Sequence, residues 1–173
     1  MEAELYSKLE EYFSETKSRE RHPSKFRVPI GGSFYDEKEV KAVLECYLKG
    51  WLSTQKKVVE FEKSFSDYIG TQYGVATNSG SSANLLALNA LLENGDLEEG
   101  DEVIVPATTF VTVVSPVIQL GLVPVYVDVD ASTFNINPAE IEKAVNPGKT
   151  KAIMVVHTLG YPADMDEIMK IAK

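Results

Sequence analysis

The stretch ATNSGSSANLLALNALL, residues 76–92, places Asn78, Ser79, Gly80, Ser81 and Ser82 between a strand-like run and a leucine-rich helix. One capping residue is enough to start a helix. Five small or polar residues provide more. Unpaired backbone N–H groups and the partial positive charge of a helix terminus attract an anion, and small side chains let a phosphate approach closely. Gly80 removes a side chain, Ser81 and Ser82 add hydroxyl donors, and the amides of all three are expected to be free. An ordinary serine-capped helix accounts for the same residues. The stretch has neither the GxGxxG pattern nor the lysine of a P-loop, so by physics alone it specifies an anion without saying which.

Other residues bear on chemistry. Phe110, in PATTF, stands at an expected helix start, either as a core aromatic or as a ring face offered to a ligand. His157 closes the run KAIMVVH at the carboxyl end of an expected strand, where its imidazole can meet a ligand or bond the backbone of the following TLGYP. Asp128 and Asp130 are spaced like half of a metal site, but no histidine or further carboxylate completes it. They are expected to cap turns, and no metal is expected. Asp164 and Asp166 read as carboxylates at a helix start. Cys46 is the one cysteine, which excludes an intrachain disulfide and an all-cysteine metal cage and makes a reducing cytoplasm the expected compartment. His22 falls in a polar arm and is expected to take no part.

These residues need a scaffold, and the composition supplies one. The chain has 173 residues, 44% apolar and 25% charged, with a formal net charge of −9 and a pI near 4.8. That charge argues against nucleic acid as a partner. Glu2, Glu4, Glu10 and Glu11 interrupt anything like a signal peptide. The uncharged run from Val103 to Val127 has about the length of a membrane span, but Pro106, Pro116, Gly121 and Pro124 cut it into strand, helix and strand. No membrane partner is expected.

Helices are expected over 3–17, 37–50, 58–70, 81–93, 109–120, 138–145 and from Asp164 to the end; strands are expected over 73–77, 102–106, 123–129 and 151–156. Apolar strands alternating with crossover helices predict an α/β fold with a mostly parallel sheet flanked by helices. Residues 1–25 read as a helical arm and 26–173 as part of one larger domain. In such a sheet, ligands bind beyond the carboxyl ends of the strands, where the serine-rich stretch would lie.

From about Val28 to Lys173, the ordered motifs NSGSSANLLALNAL, GDEVIVPATTFVTVVSPVIQLGLVPVYVDVDASTFNINPAEIEKAV and KTKAIMVVHTLGYPADMDEI resemble the DegT/StrS family of pyridoxal-phosphate-dependent nucleotide-sugar enzymes. The resemblance implies the large domain of a fold-type I transferase. It also implies that Gly80, Ser81 and Ser82 hold the cofactor phosphate and that Phe110 lies flat against the pyridine ring. GWLS, residues 50–53, is similar to a family loop that approaches the active site, which makes Trp51 and Ser53, with His157, candidate neighbours of cofactor or substrate. Gln55 and Lys56 stand where that loop has a glycine, which leaves the roles of Ser53 and Thr54 open.

The resemblance implies that the Schiff-base lysine, or a histidine in its place, and the acid beside the pyridine nitrogen lie beyond Lys173, together with a small C-terminal domain. Lys56, Lys57, Lys149 and Lys151 are not placed to substitute. The chain therefore reads as the amino-terminal part of an enzyme that is inactive on its own. The expected parent is a homodimeric aminotransferase that moves an amino group, usually from glutamate, onto a nucleotide-linked keto sugar for surface polysaccharide. A second chemistry within the family is that of the 3-dehydrases, which use pyridoxamine phosphate and carry an iron-sulfur cluster. The arm before RVPI, the GWL loop and HTLG resemble that group, whereas PATTFVTVV departs from its GFPTT. A third reading, from a different class, is a non-catalytic phosphate-binding module.

Overall fold

In the computed structural model, the described residues are 2–17, 35–53 and 55–173. His22, the RVPI stretch (27–30) and Thr54 lie outside them. The chain divides into two compact units, Met1–Gly74 and Val75–Lys173.

Among its described residues the first unit holds three helices, α1 (Glu2–Lys17), α2 (Glu37–Leu48) and α3 (Lys56–Ile69). Asp36 starts α2 with a capping box: its carboxylate accepts the Lys38 amide at 2.9 Å, and its own amide donates to Glu39 at 2.8 Å. Lys41 of α2 pairs with Glu10 of α1. Gly70 ends α3 in the left-handed region at φ 83°. At Gly74 the chain crosses α3 so closely that a Cβ would stand 2.8 Å from the Glu62 carbonyl, so only glycine fits. Apolar side chains stay in the open along these helices, among them Tyr47, Phe61, Phe65 and Tyr68.

The second unit is a three-layer α/β arrangement. Its elements are α4 (Gly80–Asn94), β1 (Glu102–Pro106), α5 (Val111–Gln119), β2 (Val123–Val127), α6 (Pro138–Ala144), β3 (Thr150–Ile153), a 3₁₀ turn (Thr158–Gly160) and α7 (Met165–Ile171). The three strands are parallel in the order β2-β1-β3. The expected mostly parallel sheet flanked by helices is therefore present.

Central β1 faces two cores. Val103 and Val105 pack with Leu88, Leu97, Val117 and Leu122 on one side, while Ile104 packs with Val127, Ile136, Ile141, Ala163 and Ile168 on the other. Alternate side chains of a strand point to opposite faces, which is why an uninterrupted apolar run suits a strand covered on both sides.

Two strand expectations need correction. Residues 73–77, YGVAT, are extended but form no strand. A strand exists through its ladder, and none of the three described strands pairs with this segment, leaving Tyr73 78% and Val75 72% exposed. The run 151–156 is also shorter than expected, since β3 ends at Ile153. The Met154 amide still donates to the Ile104 carbonyl at 2.9 Å, but His157 lies four positions beyond the strand rather than on it. Among the described residues, no helix is long and apolar enough to cross a membrane.

Asp130 caps a tight turn. Its carboxylate accepts the Ser132 hydroxyl and the amides of Ser132 and Thr133 at 2.8 and 3.2 Å. The Ser132 hydroxyl first, then these amides, hold its pKa below the ordinary aspartate value. A carboxylate depressed in the folded state stabilises above the unfolded-state pKa and loses that contribution as pH falls through the folded value. Unfolding followed from pH 6 downward should therefore show a steeper acid loss for the natural chain than for Asp130→Asn, which keeps the acceptor but not the charge. Parallel curves would refute this.

Candidate functional site

Ser79, in extended conformation, is the N-cap of α4, and its hydroxyl oxygen accepts the Ser82 amide at 3.2 Å. The Ser82 hydroxyl lies 3.1 Å from the same atom. The Ser79 carbonyl takes the Ala83 amide at 3.0 Å and the Thr77 hydroxyl at 2.9 Å. Of the three amides expected to be free, that of Ser82 is therefore used by the cap. Those of Gly80 and Ser81 have no acceptor among the described residues, as the first turn of a helix requires. Both residues are exposed, and a Cβ built on Gly80 would meet nothing within 4 Å. The space above the helix end is open to a phosphate.

The charge pattern favours an anion there. In a chain of net charge −9, the first turns of α2, α6 and α7 carry Glu or Asp, whereas those of α3, α4 and α5 carry none. Carboxylates near helix N-termini are stabilising. Leaving them out at α4 and α5 keeps the positive helix ends uncompensated.

Phe110 is the N-cap of α5 without any side-chain cap bond, and its ring is 72% exposed. The core-aromatic alternative is thus excluded within this chain. Its neighbour Thr109 has a buried hydroxyl with no partner, the one such side-chain atom among the described residues.

Sequence reasoning missed Asn84. Its side-chain amide donates to the Thr112 carbonyl at 3.0 Å, one turn along α4 from Gly80 and two residues past Phe110. It thereby holds the starts of α4 and α5 side by side. The available signal was that Asn84 and Asn89 are the two polar residues of the otherwise apolar stretch ANLLALNALL.

His157 is exposed, and its Nδ1 accepts the Ala163 amide at 3.0 Å. A bond to the backbone, the alternative weighed for this residue, is therefore present, made one residue past TLGYP. A second missed residue shapes this loop. Asn135, 4% exposed, donates from Nδ2 to the Tyr161 carbonyl at 3.0 Å and accepts the Thr158 amide on Oδ1 at 2.9 Å. It clamps both ends of a turn in which Leu159 has φ 53° and is 94% exposed.

Asp128 and Asp130 accept bonds from neighbouring backbone, Asp164 accepts the Glu167 amide at 3.2 Å, and no cluster among the described residues has the makings of a metal site. Trp51 and Ser53 belong to the first unit. There they line a groove of about 590 Å³ with Cys46 and Tyr47, and the Lys49 ammonium sits 4.9 Å above the Trp51 ring.

The arrangement in the second unit can hold a phosphate at the Gly80 and Ser81 amides and offer a flat ring the face of Phe110. Comparison with known proteins bears on what those groups are. Residues 34–173 match the DegT/DnrJ/EryC1/StrS aminotransferase family. The lipopolysaccharide biosynthesis protein RfbH of Salmonella typhimurium is 47% identical over 149 residues, covering 84% of this chain and 34% of that protein. The GDP-perosamine synthase of Caulobacter vibrioides is 40% identical over 148 residues, covering 85% and 38%. A solved structure of the E. coli GDP-4-keto-6-deoxy-D-mannose-3-dehydratase with bound hydrated PLP aligns with TM-score 0.79 and 37% identity over 84% of this chain and 38% of that one. The chain thus spans little more than a third of the length of these relatives.

Proposed function

The chain belongs to the DegT/DnrJ/EryC1/StrS aminotransferase family, and on that premise we propose that it is the amino-terminal part of a pyridoxal-phosphate aminotransferase acting on a nucleotide-linked keto sugar. Residues 26–173 form the first part of its cofactor-binding domain, with 1–25 as an appended arm. The observation that carries this reading is the pair of unpaired amides, Gly80 and Ser81, at an acid-free helix end tied to the helix that Phe110 caps. These amides and the Ser81 and Ser82 hydroxyls hold the phosphate, and Phe110 holds the ring. His157 contacts cofactor or substrate, and the family resemblance of the GWLS loop supports Trp51 and Ser53 as further candidate neighbours.

Bound there, pyridoxal phosphate supplies an electron sink for exchange of an amino group. The chain's own residues bind and orient it; the groups that react with it belong to sequence beyond Lys173. Glutamate is the amino donor, the parent is a cytoplasmic homodimer, and its product is an amino sugar for surface polysaccharide. RfbH and the perosamine synthase support this assignment by their names. The likeness to the E. coli dehydratase supports a second reading, pyridoxamine-dependent 3-dehydration. The residue at the cofactor-carrying position downstream decides between them, lysine for transfer and histidine for dehydration.

The test is titration of the full-length parent with pyridoxal phosphate, followed by visible absorbance, with a nucleotide as control. Saturable cofactor binding is expected. Tight nucleotide binding with indifference to the cofactor would instead establish a non-catalytic phosphate-binding module. Because Phe110 is 72% exposed, Phe110→Ala should leave the melting temperature unchanged while weakening cofactor binding about threefold to tenfold, the worth of one stacked ring. Unaltered affinity would remove Phe110 from the site.

A further inference from the structure

Pro116 lies inside α5. A proline has no N–H to donate to the carbonyl four residues earlier, and its ring pushes that carbonyl away from the helix axis. The carbonyl in question is that of Thr112, in the first turn of the helix that Phe110 caps. It is the atom that receives the Asn84 side-chain amide at 3.0 Å. A vacancy made by a proline in one helix is filled by an asparagine from its neighbour.

From this we infer that Asn84 is a positioning residue: the bond it makes to the carbonyl freed by Pro116 sets the place of the Gly80 and Ser81 amides relative to Phe110. The inference rests on the functional reading above, since only a ligand that touches both helix starts is sensitive to their separation. Two features make the tie specific. Asn84 stands one helical turn from Gly80 on the same face of α4, so a shift at Asn84 is carried directly to the amides. With an ordinary residue at 116, Thr112 would have a partner inside α5, and its carbonyl would no longer depend on Asn84 for one.

A merely structural role makes a different prediction. If Asn84 serves only to satisfy a buried carbonyl, then restoring the helical bond with Pro116→Ala should cure Asn84→Ala completely. If Asn84 positions the site, the double variant should recover its melting temperature but not its geometry or its ligand. The experiment compares the natural chain, Asn84→Ala, Pro116→Ala and the double variant by thermal unfolding, and by dipolar broadening between nitroxides at Ala83→Cys and Val111→Cys in a Cys46→Ser background. In parallel, the same substitutions are made in the full-length parent and titrated with pyridoxal phosphate.

The expected result for the double variant is a recovered melting temperature, an altered interspin separation and an affinity about tenfold below that of the natural protein. A recovered melting temperature with natural separation, or with natural affinity, overturns the inference. If the natural parent ignores pyridoxal phosphate altogether, the functional reading fails, and the interspin separation still decides whether Asn84 fixes the two helix starts.

Discussion

Gly80→Asp should abolish cofactor retention while leaving the fold intact or firmer, a pair of effects with opposite signs. The Gly80 position has open space where a Cβ would go and carries no positive φ, so a side chain there meets no clash. A carboxylate in the first turn of α4 would complement the helix dipole by a few tenths of a kcal/mol. The same carboxylate would stand where a dianionic phosphate is expected, and like charges about 4 Å apart near a protein surface repel by roughly 4 kcal/mol. Affinity of the parent for pyridoxal phosphate should therefore fall by more than about a hundredfold, with melting temperature unchanged or raised. Gly80→Ala, which adds bulk without charge, should have a much smaller effect. Equal affinities for the natural protein and the aspartate variant would place the phosphate elsewhere and remove the central support of the functional assignment.

Ile104→Ala should be the most damaging truncation in the second unit. Ile104 is 0% exposed, lies on the middle strand, and is the member of β1 that faces the Ile136, Ile141 and Ile168 cluster. Removing a buried branched side chain costs its transfer energy and leaves a cavity that the sheet cannot close, about 2–5 kcal/mol in comparable cores. Val103 and Val105 lie on the other face and are smaller, so their truncation should cost less. The strand's hydrogen bonds would survive, including that from the Met154 amide to the Ile104 carbonyl, so the variant should lose stability cooperatively rather than lose one strand. Chemical denaturation read by circular dichroism checks this, and a loss below about 1 kcal/mol would contradict the two-core description.

The two effects separate binding from folding. Gly80 has no packing neighbour at its Cβ position and is assigned a ligand; Ile104 belongs to a different core from Leu88 of α4 and Val117 of α5 and is assigned the scaffold. Phe110 behaves like Gly80 in this respect, since at 72% exposure it contributes little to the packing of the second unit.

Much of this was legible in the residues. The seven α-helices of the described residues were readable from caps and apolar spacing: Asp36, Ser79, Asn137 and Asp164 all cap as their residue types suggest. The parallel arrangement followed from β1, whose uninterrupted apolar run VIV has no solvent face to alternate with. These are local properties, decided within a few residues by backbone hydrogen bonding and side-chain periodicity. The acid-free start of α4 and the small residues around Gly80 are equally local, which is why a bare helix end is readable from the residues themselves.

What tertiary structure alone decided are pairings between distant segments. Residues 73–77 have the composition of a strand but join none of the three described strands, and composition carries no information about neighbours. Which of the three amides stays bare depended on the Ser79 rotamer, which spends that of Ser82. Asn84 and Thr112 are 28 positions apart, and Asn135 and Tyr161 are 26 apart; each is an unremarkable polar residue until the fold brings its partner within reach. A side-chain hydrogen bond requires its atoms within about 3 Å, and only the packed chain sets such distances between residues so far apart along it.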